Sequence, residues 1–221
     1  MTLSTDLRMA MLIGSGIAWT LVYVLIIKHG FEDKTFGMPL WALAANLSWE
    51  FIFAFVLPVH ETTQRSADIV WWAFDMVIAY QFLRFGRTSV RGTPLERYFY
   101  PMFVIVIAVC FTAVLTITLQ FEPIVPPRII DGRYAAFAQN LMMSILFVAM
   151  LNSRDDLSGQ SIYIGIFKLI GTLLPSIFFL VVARDDLFLM FTSVTIFAFD
   201  LLYVMLFWKQ ARALKVNPWR L

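Results

Sequence analysis

The sequence predicts an all-α integral membrane protein, a bundle of seven transmembrane helices that forms one domain over residues 1–221. Three observations lead to this fold class. Of the 221 residues, 60% are hydrophobic and 14% are charged, whereas about 25% of the residues in soluble domains are charged. Seven apolar runs have the length of about 20 residues that a helix needs to cross the hydrocarbon core. The loops between these runs are short, which leaves no room for a second, soluble domain.

The apolar runs place the seven helices in order along the chain. The first run covers residues 9–28, and it is too long for a signal peptide and lacks a small-residue cleavage site, so we interpret it as a membrane helix. The other runs cover residues 38–58, 67–86, 99–120, 134–152, 161–183 and 187–208. Proline and charged residues collect between the runs, as is typical of loops.

The basic residues indicate the orientation of the bundle. The face reached after helices one, three, five and seven carries eleven Lys and Arg residues, and the opposite face carries five. By the positive-inside rule, the carboxyl terminus is predicted in the cytoplasm and the amino terminus outside. Because the net charge is only +2 and the basic residues do not form one stripe, nucleic acid is not a predicted partner.

Two halves of the chain align without gaps at an offset of 125 residues. The offset places helices one, two and three on helices five, six and seven, and it leaves helix four as a linker. Segments 73–76 and 198–201 then coincide, and both begin with Ala-Phe-Asp. Corresponding helices cross the membrane in the same direction, so the pattern indicates a 3+1+3 pair of parallel repeats. Asp75 and Asp200 occupy equivalent positions in this repeat.

Four ionisable side chains fall well inside the predicted spans, namely Glu50, Asp75, Lys168 and Asp200. A charge at the centre of a membrane helix costs about 2.5–3.5 kcal/mol on insertion scales, so each of these residues requires a partner or a function. Lys168 lies close to the cytoplasmic end of its helix. We interpret it as a structural residue that pairs with an acid or extends to the membrane surface.

Glu50 is a candidate catalytic acid. Asn46 lies one helical turn before it on the same face and can hydrogen-bond the carboxyl group, while Trp49 points elsewhere. A carboxyl group in apolar surroundings stays protonated near neutral pH, as a general acid requires. The alternative is that a protonated Glu50 only cross-links two helices.

Asp200 is the second candidate acid. Phe197 and Tyr203 lie three residues to either side, so we expect the carboxyl group between two aromatic rings that can stabilise a cation. At about 1.5 Å per residue, Glu50 and Asp200 lie at similar depths in the membrane, and we expect them to share one buried cavity. Asp75 is interpreted as a third acid or as a partner that tunes the other two.

No metal site and no cofactor are predicted. His29 and His60 lie at the ends of spans and lack the spacing of metal ligands. Two Arg-Asp-Asp-Leu strings, which begin at Arg154 and Arg184, do not continue into the Asp-Asp-x-x-Asp pattern that holds magnesium on a prenyl diphosphate. We interpret both strings as loop charges or helix caps, and Cys110 as a small buried apolar residue.

The motif Asn-Leu-Ser-Trp-Glu at residues 46–50, with Asp200 in helix seven, resembles the integral membrane terpene cyclases of fungal meroterpenoid and indole-diterpene pathways and their bacterial relatives. The segment 71–86 is also similar to the third helix of that family. The resemblance implies a lyase or isomerase that cyclises a prenyl chain attached to an aromatic or indole head group. Protonation of a terminal epoxide or alkene starts the reaction and loss of a proton ends it. Glu50 and Asp200 correspond to the critical acids of the family.

Other classes of protein also fit parts of the pattern. A seven-helix small-solute transporter has parallel repeats and polar groups near the midplane, and Pro175, opposite Glu50 in the repeat, suggests a helix kink. A retinal-type photoreceptor requires a lysine in helix seven, where this chain has Asp200. For the cyclase, the expected partners are a hydrophobic prenylated substrate and the lipid bilayer. The expected location is multi-pass, in the plasma membrane of a bacterium or the endoplasmic reticulum of a fungus.

Overall fold

A computed structural model describes residues 4–58, 62–123 and 130–219 of the chain. Within these ranges the fold consists of seven α-helices and contains no β-strand. The helices are α1 (Thr5–Glu32), α2 (Leu40–Phe51), α3 (Thr62–Phe85), α4 (Phe99–Phe121), α5 (Arg133–Ser153), α6 (Ile162–Val182) and α7 (Leu187–Ala213). Each helix corresponds to one of the seven predicted runs, so the predicted all-helical class and the helix count are confirmed.

Five of the helices are long and apolar enough to cross a membrane. They are α1, α5, α6, α7, and α4 together with the short helical turn before it. The second helix is apolar but shorter, even with the π-helical turn that extends it to Val56. The third helix has 24 residues, but charged side chains such as Arg65, Asp68 and Asp75 lower its hydropathy.

Large apolar side chains cover much of the outer surface of the bundle. Ile17, Val104 and Met205, for example, are 58%, 66% and 59% exposed. A soluble protein rarely presents so many exposed apolar residues together, because their contact with water is unfavourable. Together with the five apolar helices, this surface identifies a multi-pass membrane protein.

The helices pack as two linked groups of three. In the first group α3 packs against α1 and α2, and in the second α7 packs against α5 and α6. Contacts of α1 with α6 and of α2 with α5 join the groups, while α4 packs mainly on α2. Moving α3 by 125 positions gives residues 187–210, close to the observed α7. The arrangement is consistent with the predicted repeat, which stays a prediction.

The two Arg-Asp-Asp-Leu strings form a helix cap and a charged loop. Asp186, in the second Arg-Asp-Asp-Leu string, caps α7 by accepting a hydrogen bond from the backbone N–H of Leu189 at 3.0 Å. In the first string, hydrogen bonds from Ser158 hold the pKa of Asp156 below its ordinary value, so the loop charge persists. Both interpretations are confirmed. Cys110 is buried, as predicted. His60 lies outside the described residues.

Pro175 lies inside α6, and the helix continues through it from Ile162 to Val182. Gly165 on the same helix allows α6 to approach α7 closely. A Cβ atom at Gly165 would lie 2.6 Å from the ring of Tyr203, which is itself only 2% exposed and has no free space to move into.

We therefore expect Gly165→Ala to destabilise the protein, because extra atoms in a packed interface cost about 1–3 kcal/mol. Gly16→Ala is the matched control, since a Cβ atom there meets nothing within 4 Å. Thermal unfolding in detergent should show a lower midpoint than wild type for Gly165→Ala and an unlowered midpoint for Gly16→Ala. Equal midpoints for the two variants would contradict the tight contact between α6 and α7.

Candidate active site

The Glu50 carboxyl group lies in a buried hydrogen-bond network formed by α1, α2 and α3. Tyr23 of α1 donates its hydroxyl proton to Oε1 of Glu50. The side-chain nitrogen of Asn46 lies within hydrogen-bonding distance of the Tyr23 hydroxyl, of Oε1 of Glu50 at 3.0 Å and of Oδ2 of Asp75 at 3.0 Å, so its two N–H groups are shared among three acceptors. Glu50 and Asp75 are 1% and 0% exposed, so both carboxyl groups are buried inside the bundle.

Glu50 and Asp75 form a carboxyl pair. Their side chains lie within hydrogen-bonding reach of each other. Among the described residues, nothing donates a hydrogen bond to Oε2 of Glu50 or to Oδ1 of Asp75. Two adjacent negative charges are strongly unfavourable in such surroundings, whereas one shared proton binds the two groups together. The pair is therefore suited to hold a proton inside the membrane.

Aromatic rings surround Tyr23, the hydrogen-bond partner of Glu50. The Tyr23 ring stacks on Trp71 at a centroid distance of 6.2 Å, and it lies 6.0 Å from Phe74 and 6.5 Å from Trp19. The face of an aromatic ring attracts positive charge through its quadrupole. The aromatic cluster around Tyr23 is therefore suited to stabilise a cation formed near it.

Asp200 lies in a second buried network, formed by α5, α6 and α7. Oδ1 of Asp200 lies 2.7 Å from Nζ of Lys168, and both side chains are 3% exposed. The Lys168 ammonium group also donates to Oδ1 of Asn140 at 2.9 Å and to Oγ of Ser144 at 2.6 Å. Of the two alternatives stated for Lys168, the structure shows the ion pair.

The two networks meet at α5 and at Trp19. Gln139 of α5 donates to Oδ1 of Asn46 in the first network at 3.4 Å, and the next residue, Asn140, belongs to the second. The Trp19 ring contacts Tyr23 and also lies 5.9 Å from Nζ of Lys168. The structure therefore brings Asp75 directly to Glu50, whereas Asp200 pairs with Lys168. A cavity shared by the two predicted acids stays a prediction.

The surroundings of Asp200 differ from those predicted. Phe197 is 42% exposed on the outer surface of α7, although Asp200 is 3% exposed. The expectation of a carboxyl group between two rings is wrong, because positions three residues before and after Asp200 are rotated by about 60° to opposite sides of the helix, and the side of Phe197 faces outward. Tyr203 is buried, but its hydroxyl donates to Gln160 at 3.4 Å. Trp49 donates to the Gly132 carbonyl at 3.0 Å and so points elsewhere, as predicted.

Two residues near Glu50 were not identified from the sequence. Tyr23 lies in an apolar run, four residues after Trp19. This spacing places both rings on one face of the helix, and it is the feature of the sequence from which a role for Tyr23 could have been predicted. Asp68 is completely buried. It accepts a hydrogen bond from Gln64 at 2.7 Å, and its charge lies close enough to Glu50 to interact with it. Its position at the edge of the predicted third span concealed its burial.

A cavity of about 760 Å³ lies away from these acids, at the ends of α4 and α5 and the loop between α6 and α7. Its lining is mainly apolar and includes Phe121, Ala138 and Leu187. On its polar side Tyr134 donates to Oδ2 of Asp186 at 2.5 Å. The lining contains no residue of either buried network.

Taken together, a multi-pass helical bundle with a buried carboxyl pair, bonded to a tyrosine that packs among aromatic rings, defines a membrane protein equipped for acid chemistry on hydrophobic molecules. A model of Pyr4-like transmembrane terpene cyclases matches residues 4–213. The chain belongs to this family, and the predicted resemblance is confirmed. Family membership identifies a membrane terpene cyclase and favours this class over the transporter and the photoreceptor.

Individual relatives are similar over most of the chain. The chain is 30% identical over 169 residues to the Pyr4-family terpene cyclase mfmH of Annulohypoxylon moriforme. This alignment covers 76% of the chain and 68% of the relative. It is 25% identical over 170 residues to the terpene cyclase pyr4 of Aspergillus fumigatus, with the same coverage. A shorter match, 36% identical over 99 residues, covers 44% of the chain and 36% of the terpene cyclase ascF of Acremonium egyptiacum. No solved structure matches.

Proposed function

We propose that this protein cyclises a prenyl chain attached to an aromatic or indole head group, and that Glu50 delivers the starting proton. The buried pair of Glu50 and Asp75 is the observation that carries this proposal. A pair that shares one proton retains an acidic hydrogen in apolar surroundings, where water supplies none.

The first step is a proton transfer from Glu50 to the terminal epoxide oxygen or alkene carbon of the substrate. With an epoxide, the carbon–oxygen bond breaks as the new O–H bond forms, and the positive charge passes to carbon. Tyr23 and Asn46 then donate hydrogen bonds to the carboxylate that remains on Glu50. Such donors stabilise the developing negative charge without moving, which is how preorganised sites lower a barrier.

The later steps need a surface that tolerates a moving positive charge. Trp19, Trp71 and Phe74 surround Tyr23 with ring faces. Because the site is buried in an apolar bundle, water has little access to capture the cation early. The substrate itself is hydrophobic and can enter sideways from the bilayer.

Asp200 is proposed as the second catalytic carboxyl group. Its ion pair with Lys168 makes it a carboxylate, whereas the pair of Glu50 and Asp75 holds a proton. We accordingly propose that Glu50 donates the first proton and that Asp200 acts at a later step. The supporting residues are Asn46 and Asp75 at Glu50.

The reaction is proposed to be independent of metal ions. No diphosphate has to be ionised when an acid starts the cyclisation, so the usual role of magnesium is absent. Among the described residues, no three His, Cys, Asp or Glu side chains are grouped as a metal site requires. In a fungal host the proposed location is the endoplasmic reticulum membrane, and in a bacterial host the plasma membrane.

Purified protein in lipid nanodiscs tests this function directly. We expect it to convert a farnesyl-indole or farnesyl-phenol probe, with a terminal epoxide or a terminal alkene, into cyclised isomers of unchanged mass. The conversion should proceed equally in EDTA, because the proposed acid is a carboxyl group. Activity that EDTA removes and magnesium restores would contradict metal independence. Folded protein that converts none of the four probes would contradict the proposed substrate, a prenyl chain on an aromatic or indole head group.

A further inference from the structure

We propose that Lys168 is a positioning residue that holds Asp200 ionised, so that Asp200 serves as the base that ends the cyclisation. The inference rests on the proposed function as a terpene cyclase and assigns the last step of that reaction. The ion pair between α6 and α7 is the observation from which it starts, since its two side chains are almost completely buried.

The contacts of Lys168 fit its charged form. Its Nζ atom meets three acceptors, which are Oδ1 of Asn140, Oγ of Ser144 and Oδ1 of Asp200. An ammonium group carries three N–H donors and satisfies all of them, whereas a neutral amine has only two and would need a protonated Asp200 to donate to it. The Trp19 ring, 5.9 Å from Nζ, further favours the cation. A buried ammonium group in turn favours a carboxylate on Asp200 over a neutral acid.

The same arrangement leaves one atom of Asp200 free to react. Oδ1 is bound to Lys168, while Oδ2 is buried and accepts no hydrogen bond from any described residue. A buried carboxylate oxygen without a donor is costly, and such groups are rare in folded proteins. Oδ2 is therefore available to take a proton from a substrate.

The chemistry of the last step matches a weak, ionised base. A C–H bond next to a cationic carbon is strongly acidic, so even a carboxylate paired with lysine can remove its proton. The C–H bond breaks, its electron pair forms the new double bond, and the proton goes to Oδ2 of Asp200. The ion pair also makes the carboxylate less nucleophilic, which disfavours covalent capture of the cation as an ester. The proton then passes from Asp200 back to the pair of Glu50 and Asp75. The complete cycle therefore consumes no proton.

The helical repeat presents the difference between the two sites clearly. In the predicted repeat, Asp75 and Asp200 occupy equivalent positions, on α3 and α7. The partner of Asp75 is the neutral amide of Asn46, together with the carboxyl group of Glu50. The partner of Asp200 is the cation of Lys168. One half of the bundle therefore keeps a proton and the other half keeps a negative charge, as an acid and a base require.

Replacement of Lys168 by glutamine tests this assignment. The amide keeps hydrogen-bond donors but removes the charge, so Asp200 takes up a proton and can no longer act as the base. With the epoxidised farnesyl-indole probe, we expect the variant to continue consuming the probe. The fraction of the product that is the cyclised alkene, which forms by the final loss of a proton, should fall by roughly tenfold. Without a base the cation persists longer, so the little water that reaches the buried site has time to capture it, and oxygen-18 from labelled water should appear in the product. The wild-type product should carry no label.

Lys28→Gln is the matched control, because Lys28 is exposed and forms an ion pair with the exposed Glu32. Should Lys168→Gln fail to fold, Lys168→Gln combined with Asp200→Asn supplies a neutral pair, and labelled product is expected from it as well. A wild-type share of unlabelled alkene from either folded variant would overturn the inference. Complete loss of consumption would also overturn it, by placing Lys168 in the first step. The proposed function itself is tested separately, by Glu50→Gln.

Discussion

Glu50→Gln is expected to abolish cyclisation in a protein that still inserts and folds. Glutamine keeps the shape of the side chain and can still accept a hydrogen bond from Tyr23 or Asn46, but it has no acidic proton to donate. Proton transfer by a positioned acid typically contributes about 10²- to 10⁴-fold in rate. Because no water replaces the donor in this site, a product assay should show complete loss.

Two further variants make this result specific. Asp75→Asn should have a milder effect, since the Glu50 proton remains and only its partner changes. Glu32→Gln, at an exposed position, should behave as wild type. Product formation is measured with the epoxidised farnesyl-indole probe, and recovery of folded protein in detergent excludes a simple folding defect. Near-normal cyclisation by folded Glu50→Gln would show that the acid mechanism is wrong.

Asp200→Asn is expected to reduce both stability and activity, because it leaves the charge of Lys168 buried without a counter-ion. Removing one partner of a buried ion pair costs about 3–5 kcal/mol. The asparagine oxygen can still accept a hydrogen bond from Lys168 but cannot balance its charge. The uncompensated cation also opposes the formation of a carbocation nearby, so the wild-type cyclised product should be lost.

A second substitution separates these two effects. Lys168→Met combined with Asp200→Asn removes the Lys168 charge together with its counter-ion. The double variant should therefore regain most of the thermal stability that Asp200→Asn alone loses. The wild-type product should not return, because the base is still missing. Melting in detergent and product analysis on the same preparations measure the two quantities. Recovery of the wild-type product by the double variant would show that Asp200 serves only to neutralise Lys168.

The sequence by itself determined the fold class and the approximate bounds of every helix. Crossing a membrane requires about 20 apolar residues and a helical backbone that satisfies its own hydrogen bonds, so hydropathy alone reports the elements. It also indicated the residues that needed explanation, since a polar group in an apolar span is costly. Asn46, Glu50, Asp75, Lys168 and Asp200 all proved to be buried and hydrogen-bonded.

Only the tertiary structure decided which of these residues are partners. Similar depth suggested that Glu50 lies with Asp200, but the packing of α2 on α3 places Asp75 beside Glu50, and that of α6 on α7 places Lys168 beside Asp200. Helical periodicity specifies the faces of one helix and does not specify which faces of different helices meet. That choice depends on the rotation and contact of whole helices, which many weak interactions along their lengths determine together.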